Sequence, residues 1–202
     1  MSLQLYLVFV LATALLIATP GPNVALIVGT SLAHGARTGL VAMAWVNIGV
    51  MVQLVVVAAG LSWLVELFSR NFDIIRFVGA GYLLFLGIQT FWKARKPLPP
   101  TPLSSERAFA RGLAVAFANP KTLIFQAAFL PQFLSDGEGR QAQLWLLAAT
   151  FWIITVVGDA IWVLCAARLR AAVSGRAQLI ADRVSGCILI AGAGVLLAMS
   201  RR

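Results

Sequence analysis

Apolar residues dominate the chain in six long runs that are separated by shorter polar stretches. A helix that crosses a bilayer needs roughly 20 mainly apolar residues, and each run is near that length. Because the bilayer core offers no partner to unpaired backbone groups, such runs should be helices. The pattern therefore predicts an all-α integral membrane protein with six transmembrane helices. The predicted segments are Leu3–Ala33, Leu40–Val65, Ile74–Trp92, Gly112–Leu134, Leu144–Ala167 and Val184–Ser200.

The longest polar stretch divides the chain into two halves. It covers residues 93–111, contains KPLPPTPLSSER and shows no apolar period. With three spans on each side, the second half enters the membrane from the opposite face, which is the inverted-repeat arrangement of many secondary transporters. We therefore predict a first three-helix repeat over 1–92, a cytoplasmic linker over 93–111 and a second repeat over 112–202. Glycines six residues apart in VGAGYLLFLG and in RVSGCILIAG agree with a repeat, although glycine also serves close packing in membrane helices.

The first predicted helix of each half is interrupted, by ATPGPN in helix one and by ANPK in helix four. Proline removes an N–H donor and frees a carbonyl one turn earlier, so each break leaves unpaired backbone. Thr19 and Asn119 stand just ahead of prolines and are good N-caps. At 1.5 Å per helical residue, Pro22 and Lys121 lie roughly 14 to 16 Å from the predicted cytoplasmic ends. Helices one and four are therefore predicted to be broken near the midplane.

The net charge of +9 has to be interpreted by location, because 60% of the residues are hydrophobic and only 11% are charged. Basic residues of membrane proteins sort to cytoplasmic loops. The loops after predicted helices one, three and five hold ten of them, against five on the other side. This bias predicts that both termini lie outside the cytoplasm. It also makes the lipid bilayer the expected partner, and no nucleic acid is expected.

Two ionisable side chains, Lys121 and Asp159, lie well inside the predicted spans. A charge there costs at least about 2.5 to 3.5 kcal/mol unless it faces a cavity or a partner. Two interpretations remain open: an ion pair that fixes helix four against helix five, or two charges that line a polar cavity. Lysine can extend toward water, whereas Asp159 is too short to do so, which makes the aspartate the stronger functional indicator. A single deep carboxylate also suggests a proton-coupling role for Asp159.

A cavity with both signs of charge suits a zwitterionic amino acid. Its carboxylate would be favoured by Lys121 and by the half-helices that start near Pro22 and Pro120. Its ammonium would be favoured by Asp159 and by the carbonyls freed before each break. Polar residues in the otherwise apolar helix two either contact the substrate or form an interhelical hydrogen bond. The predicted substrate-binding residues are Thr19, Pro20, Gly21, Pro22, Asn23, Asn47, Gln53, Asn119, Pro120, Lys121 and Asp159.

Four motifs, TPGPN, FVGAGYLLFLG, ARGLAVAFANPKTLIFQAAFLPQF and SGCILIAGAG, together resemble the lysine exporter and homoserine/threonine exporter superfamily (LysE/RhtB) over nearly the whole chain. The resemblance implies export of amino acids or close analogues through the bacterial inner membrane, coupled to protons. Both a monomer and a homodimer are open as the assembly. The family motifs fall on Pro20–Asn23, Asn119–Lys121 and Asp159. Trp45 and Gln53 depart from the family, which usually has glycine and often histidine there. The indole of Trp45 must therefore change helix packing or fill part of the cavity.

Other classes of protein fit the residues less well. Cys165 and Cys187 fall in apolar helices and His34 is the single histidine, so no disulfide framework, metal site or cofactor is expected. An intramembrane hydrolase would need a serine–histidine, paired-aspartate or zinc set, so we predict that the chain is not an enzyme. A non-transporting assembly subunit is the alternative. Polar breaks in both halves argue against it, since an assembly face needs only small residues.

Overall fold

The computed structural model of the chain describes residues 1–59, 72–94, 105–126, 130–135, 139–172 and 175–198. Within these ranges the regular structure is helical, with eight α-helices, one short 3-10 helix and no strand, which confirms the all-α prediction. The α-helices are α1 (Leu3–Ala18), α2 (Pro22–His34), α3 (Ala36–Ala58), α4 (Phe72–Ala94), α5 (Ser105–Ala118), α6 (Pro120–Ile124), α7 (Arg140–Ala172) and α8 (Gly175–Ala198), and the 3-10 helix is Leu130–Phe133.

The first predicted segment forms two helices, α1 and α2, whose axes differ by 49°. Pro22 is the first residue of α2, a position where its missing N–H breaks no intrahelical hydrogen bond. The carboxyl end of α1 is closed by the backbone N–H of Thr19, which donates to the carbonyls of Leu15 and Leu16. The interruption that the prolines predict is therefore present, and it lies between Ala18 and Pro22.

The fourth predicted segment is also broken. Asn119 separates α5 from α6, and its side-chain oxygen accepts a hydrogen bond of 3.1 Å from the backbone N–H of Lys121, as expected of an N-cap. The flanking helices extend into the predicted linker, since α4 ends at Ala94 and α5 begins at Ser105. Serine is a favourable residue at a helix start, even where no apolar period marks the helix.

Two helical stretches are long and apolar enough to cross a membrane, α3 and residues Arg140–Arg170 of α7. The bent pair of α1 and α2 makes a third if it is one span. Length and composition therefore give two or three candidate spans in the described part of the chain. Shorter apolar helical stretches are Ala80–Trp92, Ala108–Ala118 and Arg183–Val195.

Small residues bring several helices close together. A Cβ built on Gly87 of α4 would lie 3.0 Å from the carbonyl oxygen of Gly186 on α8, and a Cβ on Gly192 would lie 2.8 Å from Cγ of Pro22. A Cβ on Gly112 would lie 2.7 Å from the Cβ of Trp45. The indole of Trp45 packs edge-on against Phe109 of α5, with ring centroids 4.6 Å apart. The indole of Trp45 thus packs at the contact between α3 and α5.

Apolar side chains also cover outward faces of the bundle. Leu3, Leu7, Leu11 and Leu15 are more than half exposed and follow one another at four-residue spacing along α1. This spacing places them on one face of the helix. A continuous exposed apolar face of this kind is suited to lipid rather than to water.

Candidate functional site

A small cavity lies beside the two helix breaks, between α1, α2, α6 and α7. Its volume is about 20 Å³, and a water molecule needs roughly 10 to 15 Å³ of such space. An amino acid therefore does not fit in the cavity unless lining groups are displaced. Five of the predicted binding residues line the cavity: Gly21, Asn23, Asn119, Lys121 and Asp159. Four residues outside that prediction line it as well: Ile17, Val24, Thr122 and Thr155.

Asp159 reaches the cavity from α7 and is only 2% exposed. One of its oxygens, Oδ2, accepts a hydrogen bond of 2.9 Å from the side-chain amide of Asn47 on α3. The same amide donates to the carbonyl of Met43 at 3.1 Å, and the backbone carbonyl of Asn47 accepts from the indole N–H of Trp152 at 3.1 Å. Asn47 is not among the residues that line the cavity. Its contact with the site is thus made through Asp159.

Lys121 enters the cavity from the first turn of α6. Its ammonium group donates to the backbone carbonyl of Thr19, the residue that follows α1. In the described part of the chain, the ammonium group of Lys121 contacts this carbonyl, and the carboxylate of Asp159 contacts the amide of Asn47. Among these residues no ion pair joins Lys121 to Asp159. The interpretation in which both charges line a cavity therefore fits the structure better than a direct salt bridge between helices.

Gly21 provides the space that Lys121 uses. A Cβ at this position would lie 3.1 Å from Cδ and 3.8 Å from Nζ of Lys121. The φ angle of Gly21 is −146°, an extended value that any residue can adopt. The glycine thus gives the lysine stem room for a close approach, and the backbone conformation does not call for it.

Gln53 supports the second break from α3. Its side-chain amide donates to the carbonyl of Ala116 at 2.9 Å. Ala116 lies four residues before Pro120, so this is the carbonyl that the proline leaves without its usual helical partner. The backbone N–H of Asn119 also donates to it, at 3.3 Å. Of the two roles left open for Gln53, the structure has the interhelical hydrogen bond.

The remaining predicted residues border the site without lining it. Thr19 and Pro20 are exposed, and the hydroxyl of Thr19 donates to the carbonyl of Leu15 at 2.9 Å. Pro22 and Pro120 are buried and begin α2 and α6. These residues shape the breaks, and the carbonyl of Thr19 is their direct contribution to the charged groups.

Two threonines that line the cavity were missed. Thr155 is 2% exposed and its hydroxyl donates to the carbonyl of Phe151 at 2.8 Å. It lies four residues before Asp159, a spacing that puts both side chains on one helix face and could have indicated it. Thr122 is 3% exposed and donates to the carbonyl of Asn119 at 3.1 Å. Both hydroxyls can still accept a hydrogen bond.

Asn23 adds an unpaired polar atom to this region. Its side chain is 5% exposed, and its amide oxygen has no hydrogen-bond partner. A buried polar atom without a partner is costly, which is typical of functional sites. Within the described ranges, no group of three or more His, Cys, Asp or Glu side chains could hold a metal ion.

Comparison with known proteins gives consistent matches. The family model described as LysE type translocator matches residues 14–200. The homoserine/homoserine lactone efflux protein of Salmonella typhimurium is 31% identical over 208 residues, which cover 100% of this chain and 99% of the relative. The leucine efflux protein of Klebsiella pneumoniae is 30% identical over 155 residues, which cover 74% of this chain and 73% of the relative. No solved structure matches the chain.

Proposed function

The chain belongs to the LysE-type translocator family, and from this premise we propose that it is a secondary transporter that exports amino acids or close analogues across the bacterial inner membrane. One observation supports the proposal at the level of residues: Lys121, Asp159 and residues of both helix breaks line the same cavity. In a membrane protein, irregular backbone is tolerated where it is buried in protein or lines a water-filled cavity, and charges beside it commonly mark a substrate or ion pathway.

The names of the relatives narrow the chemistry. Homoserine, homoserine lactone and leucine all carry a primary amine beside an acyl carbon, while their side chains differ. Asp159 offers a carboxylate to such an ammonium group, and Asn23, Thr122 and Thr155 are neutral polar neighbours. We propose small compounds with an α-ammonium group as the substrates of this chain.

The architecture that we propose is six spans in two inverted repeats, 1–92 and 112–202, joined by a cytoplasmic linker over 93–111. The corresponding breaks support it, because α2 and α6 both begin with a proline after a non-helical residue. The contact between Gly87 and Gly186 supports it as well, since these glycines belong to the two similar motifs. In this arrangement both breaks lie near the midplane, where inverted-repeat transporters bind their substrates.

Export is tested in bacterial cells loaded with dipeptides of leucine and homoserine. Hydrolysis raises the internal amino-acid concentration, and the release of each amino acid is compared between the wild type and Asp159→Ala. The matched control is Thr90→Ala, because the hydroxyl of Thr90 bonds only the carbonyl of Leu86 in its own helix. We expect release to depend on Asp159 and not on Thr90. Equal release by cells with and without the protein would reject the proposal.

Coupling to protons is a further part of the proposal and rests on Asp159, whose carboxyl group lies in the cavity. Loading of an ammonium group can displace a proton from such a carboxyl group, which would make substrate and proton exchange partners. In proteoliposomes, Asp159→Asn should retain substrate exchange but lose the efflux that a pH gradient drives. Efflux driven by pH at the wild-type rate in this variant would rule out the coupling role.

A further inference from the structure

A primary ammonium group, that of Lys121, already lies beside the cavity that this residue lines. The ammonium of Lys121 lies on the carbonyl of Thr19, immediately beyond the carboxyl end of α1. The carboxyl end of a helix carries a partial negative charge and favours cations. Other carbonyls at this end have partners within the chain, since those of Leu15 and Leu16 accept from the N–H of Thr19. The carbonyl of Thr19 is the acceptor at this end of α1 that contacts a cation in the structure.

The surroundings of this ammonium are arranged for exchange. Lys121 is the one cation among the residues that line the cavity, and Asp159 lines the same cavity without an ion pair to it. Lys121 itself is only partly buried. Because Gly21 has no side chain, it leaves space for the stem of Lys121; a Cβ at this position would lie 3.1 Å from Cδ of the lysine. The side chain can therefore withdraw by rotation about its own flexible bonds, without a change in the backbone of α6.

We infer that Lys121 is a tethered stand-in for the substrate, and that the carbonyl of Thr19 is the acceptor of a primary-ammonium subsite beside the cavity that Asp159 lines. Lys121 fills this subsite in the empty transporter, and the α-ammonium of the substrate displaces it on loading. The inference rests on the proposed function and adds the carbonyl that binds the ammonium group and the side chain that the substrate displaces. Exchange avoids two like charges in one small cavity, where their repulsion would be poorly screened. The substrate's amino group is then required, whereas a free carboxylate is dispensable.

The first test vacates the subsite and refills it. Lys121→Ala removes the stem beyond Cβ, and propylammonium has the size and charge of the missing part. We expect propylammonium chloride to raise the melting temperature of purified Lys121→Ala in proportion to the logarithm of its concentration, and to leave the wild type unchanged. Tetramethylammonium, which has no N–H donor, and sodium should have no such effect. Equal shifts in the two proteins, or no shift in the variant, would overturn the inference.

A second variant covers the case in which Lys121→Ala does not fold. Lys121→Met keeps a stem of the same length up to Cε but removes the ammonium, and it should be stabilised by the ammonium ion and not by tetramethylammonium. Gly21→Ala provides a matched control, because it crowds the lysine stem without removing its charge. This variant should not respond to the ammonium ion at the concentrations that stabilise Lys121→Met.

The third test uses the wild type and separates the two ends of an amino acid. Leucinamide keeps the ammonium and lacks the carboxylate, whereas N-acetylleucine keeps the carboxylate and lacks the ammonium. We expect leucinamide to stabilise the protein against heat and N-acetylleucine not to do so. A wild-type protein that binds N-acetylleucine, or that does not respond to leucinamide, would count against the ammonium subsite.

These outcomes are separable from the proposed function. If the protein exports leucine but Lys121→Ala does not respond to propylammonium and Lys121→Met does not respond to the ammonium ion, the subsite is wrong and the exporter stands. If no amino acid is released from cells, while the two lysine variants bind these cations, the subsite stands and the exporter is wrong.

Discussion

At the scale of single residues, Asn47 determines how Asp159 is presented to the cavity. Its amide supplies the hydrogen bond of 2.9 Å to the buried carboxylate. A hydrogen bond to a charged group contributes about 1.5 to 3 kcal/mol. We therefore expect Asn47→Leu to raise the transport KM roughly tenfold to hundredfold, which is that energy expressed as a ratio. The measurement is the concentration dependence of uptake into inverted vesicles.

Asn47→Ser is the companion variant, since a hydroxyl can donate to Asp159 with a shorter reach and should recover part of the affinity. A KM within twofold of the wild type in Asn47→Leu would show that the carboxylate does not depend on this amide.

Gln53 is expected to affect stability more than substrate affinity. Its amide bonds the carbonyl of Ala116, which lies outside the cavity lining. Gln53→Leu removes one of two donors to this carbonyl, which keeps the N–H of Asn119, and a hydrogen bond of this kind contributes about 0.5 to 1.5 kcal/mol. The melting temperature should fall while the KM for export stays within twofold. Gln141→Leu is the matched control, because the amide of Gln141 donates in the same way to the carbonyl of Ala58, on an element end away from the breaks. A raised KM without a loss of stability would make Gln53 a substrate contact.

The sequence indicated the charged and broken positions of the site but not how they are joined. Proline after a capping residue and a charge within an apolar run are local signals, and they identified Asn119, Lys121 and Asp159. The partners are distant: Asn47 and Asp159 are 112 residues apart, and Lys121 and Thr19 are 102 apart. Nothing local tells whether Lys121 meets a carboxylate or a carbonyl. That choice depends on how α6 packs against the end of α1.

At the scale of elements, the break between α5 and α6 is the feature whose removal is most informative. Pro120→Ala restores an N–H that can bond the carbonyl of Ala116 and favours one continuous helix. Pro120 is the first residue of α6, a favourable position for proline, so its cost of about 3 kcal/mol relative to alanine would apply only in a continuous helix. The variant should therefore be close to the wild type in melting temperature and yet export more slowly, because a continuous helix becomes accessible and Lys121 would rotate with it. Melting temperature and export rate are measured on the same preparation.

Pro20→Ala is the contrasting variant, because Pro20 is exposed and lies between α1 and α2 rather than at the start of a helix. Export at the wild-type rate in Pro120→Ala would mean that the break has no part in transport.

Helix ends were less predictable than helix positions. The apolar run Leu144–Ala167 marks the part of α7 that suits a bilayer, whereas the helix itself extends over Arg140–Ala172. Likewise α8 begins at Gly175, before the apolar run that starts at Val184. Hydropathy indicates which part of a helix lies in the apolar core of the membrane. A helix can extend beyond that part through polar turns in water, and the apolar pattern does not mark where it ends. Three predicted spans, Leu40–Val65, Gly112–Leu134 and Val184–Ser200, include residues outside the described ranges.

At the scale of the whole molecule, contacts at the helix ends join positions that the sequence predicts on the same face of the membrane. A Cβ on Gly35, in the turn between α2 and α3, would lie 2.7 Å from Arg170 near the carboxyl end of α7. Both positions belong to loops that the basic residues assign to the cytoplasm. The amide of Gln141, at the start of α7, donates to the carbonyl of Ala58 at the end of α3. Gln141 precedes the predicted span Leu144–Ala167 on the opposite side, and Ala58 lies toward that end of the predicted span Leu40–Val65. Both contacts therefore join positions of the two halves that are predicted near the same face of the membrane.

This pairing makes the proposed topology directly testable. After Cys165 and Cys187 are changed to serine, single cysteines are placed at exposed or terminal positions on each side. In intact spheroplasts, a membrane-impermeant maleimide should label Ser2→Cys and Ala142→Cys, and it should label Arg37→Cys only after permeabilisation. The reverse pattern would invert the orientation and leave the repeats intact. Labelling of Ser2→Cys and Ala142→Cys from opposite sides would reject three spans per half, because an inverted repeat joined in the cytoplasm requires both positions on one face.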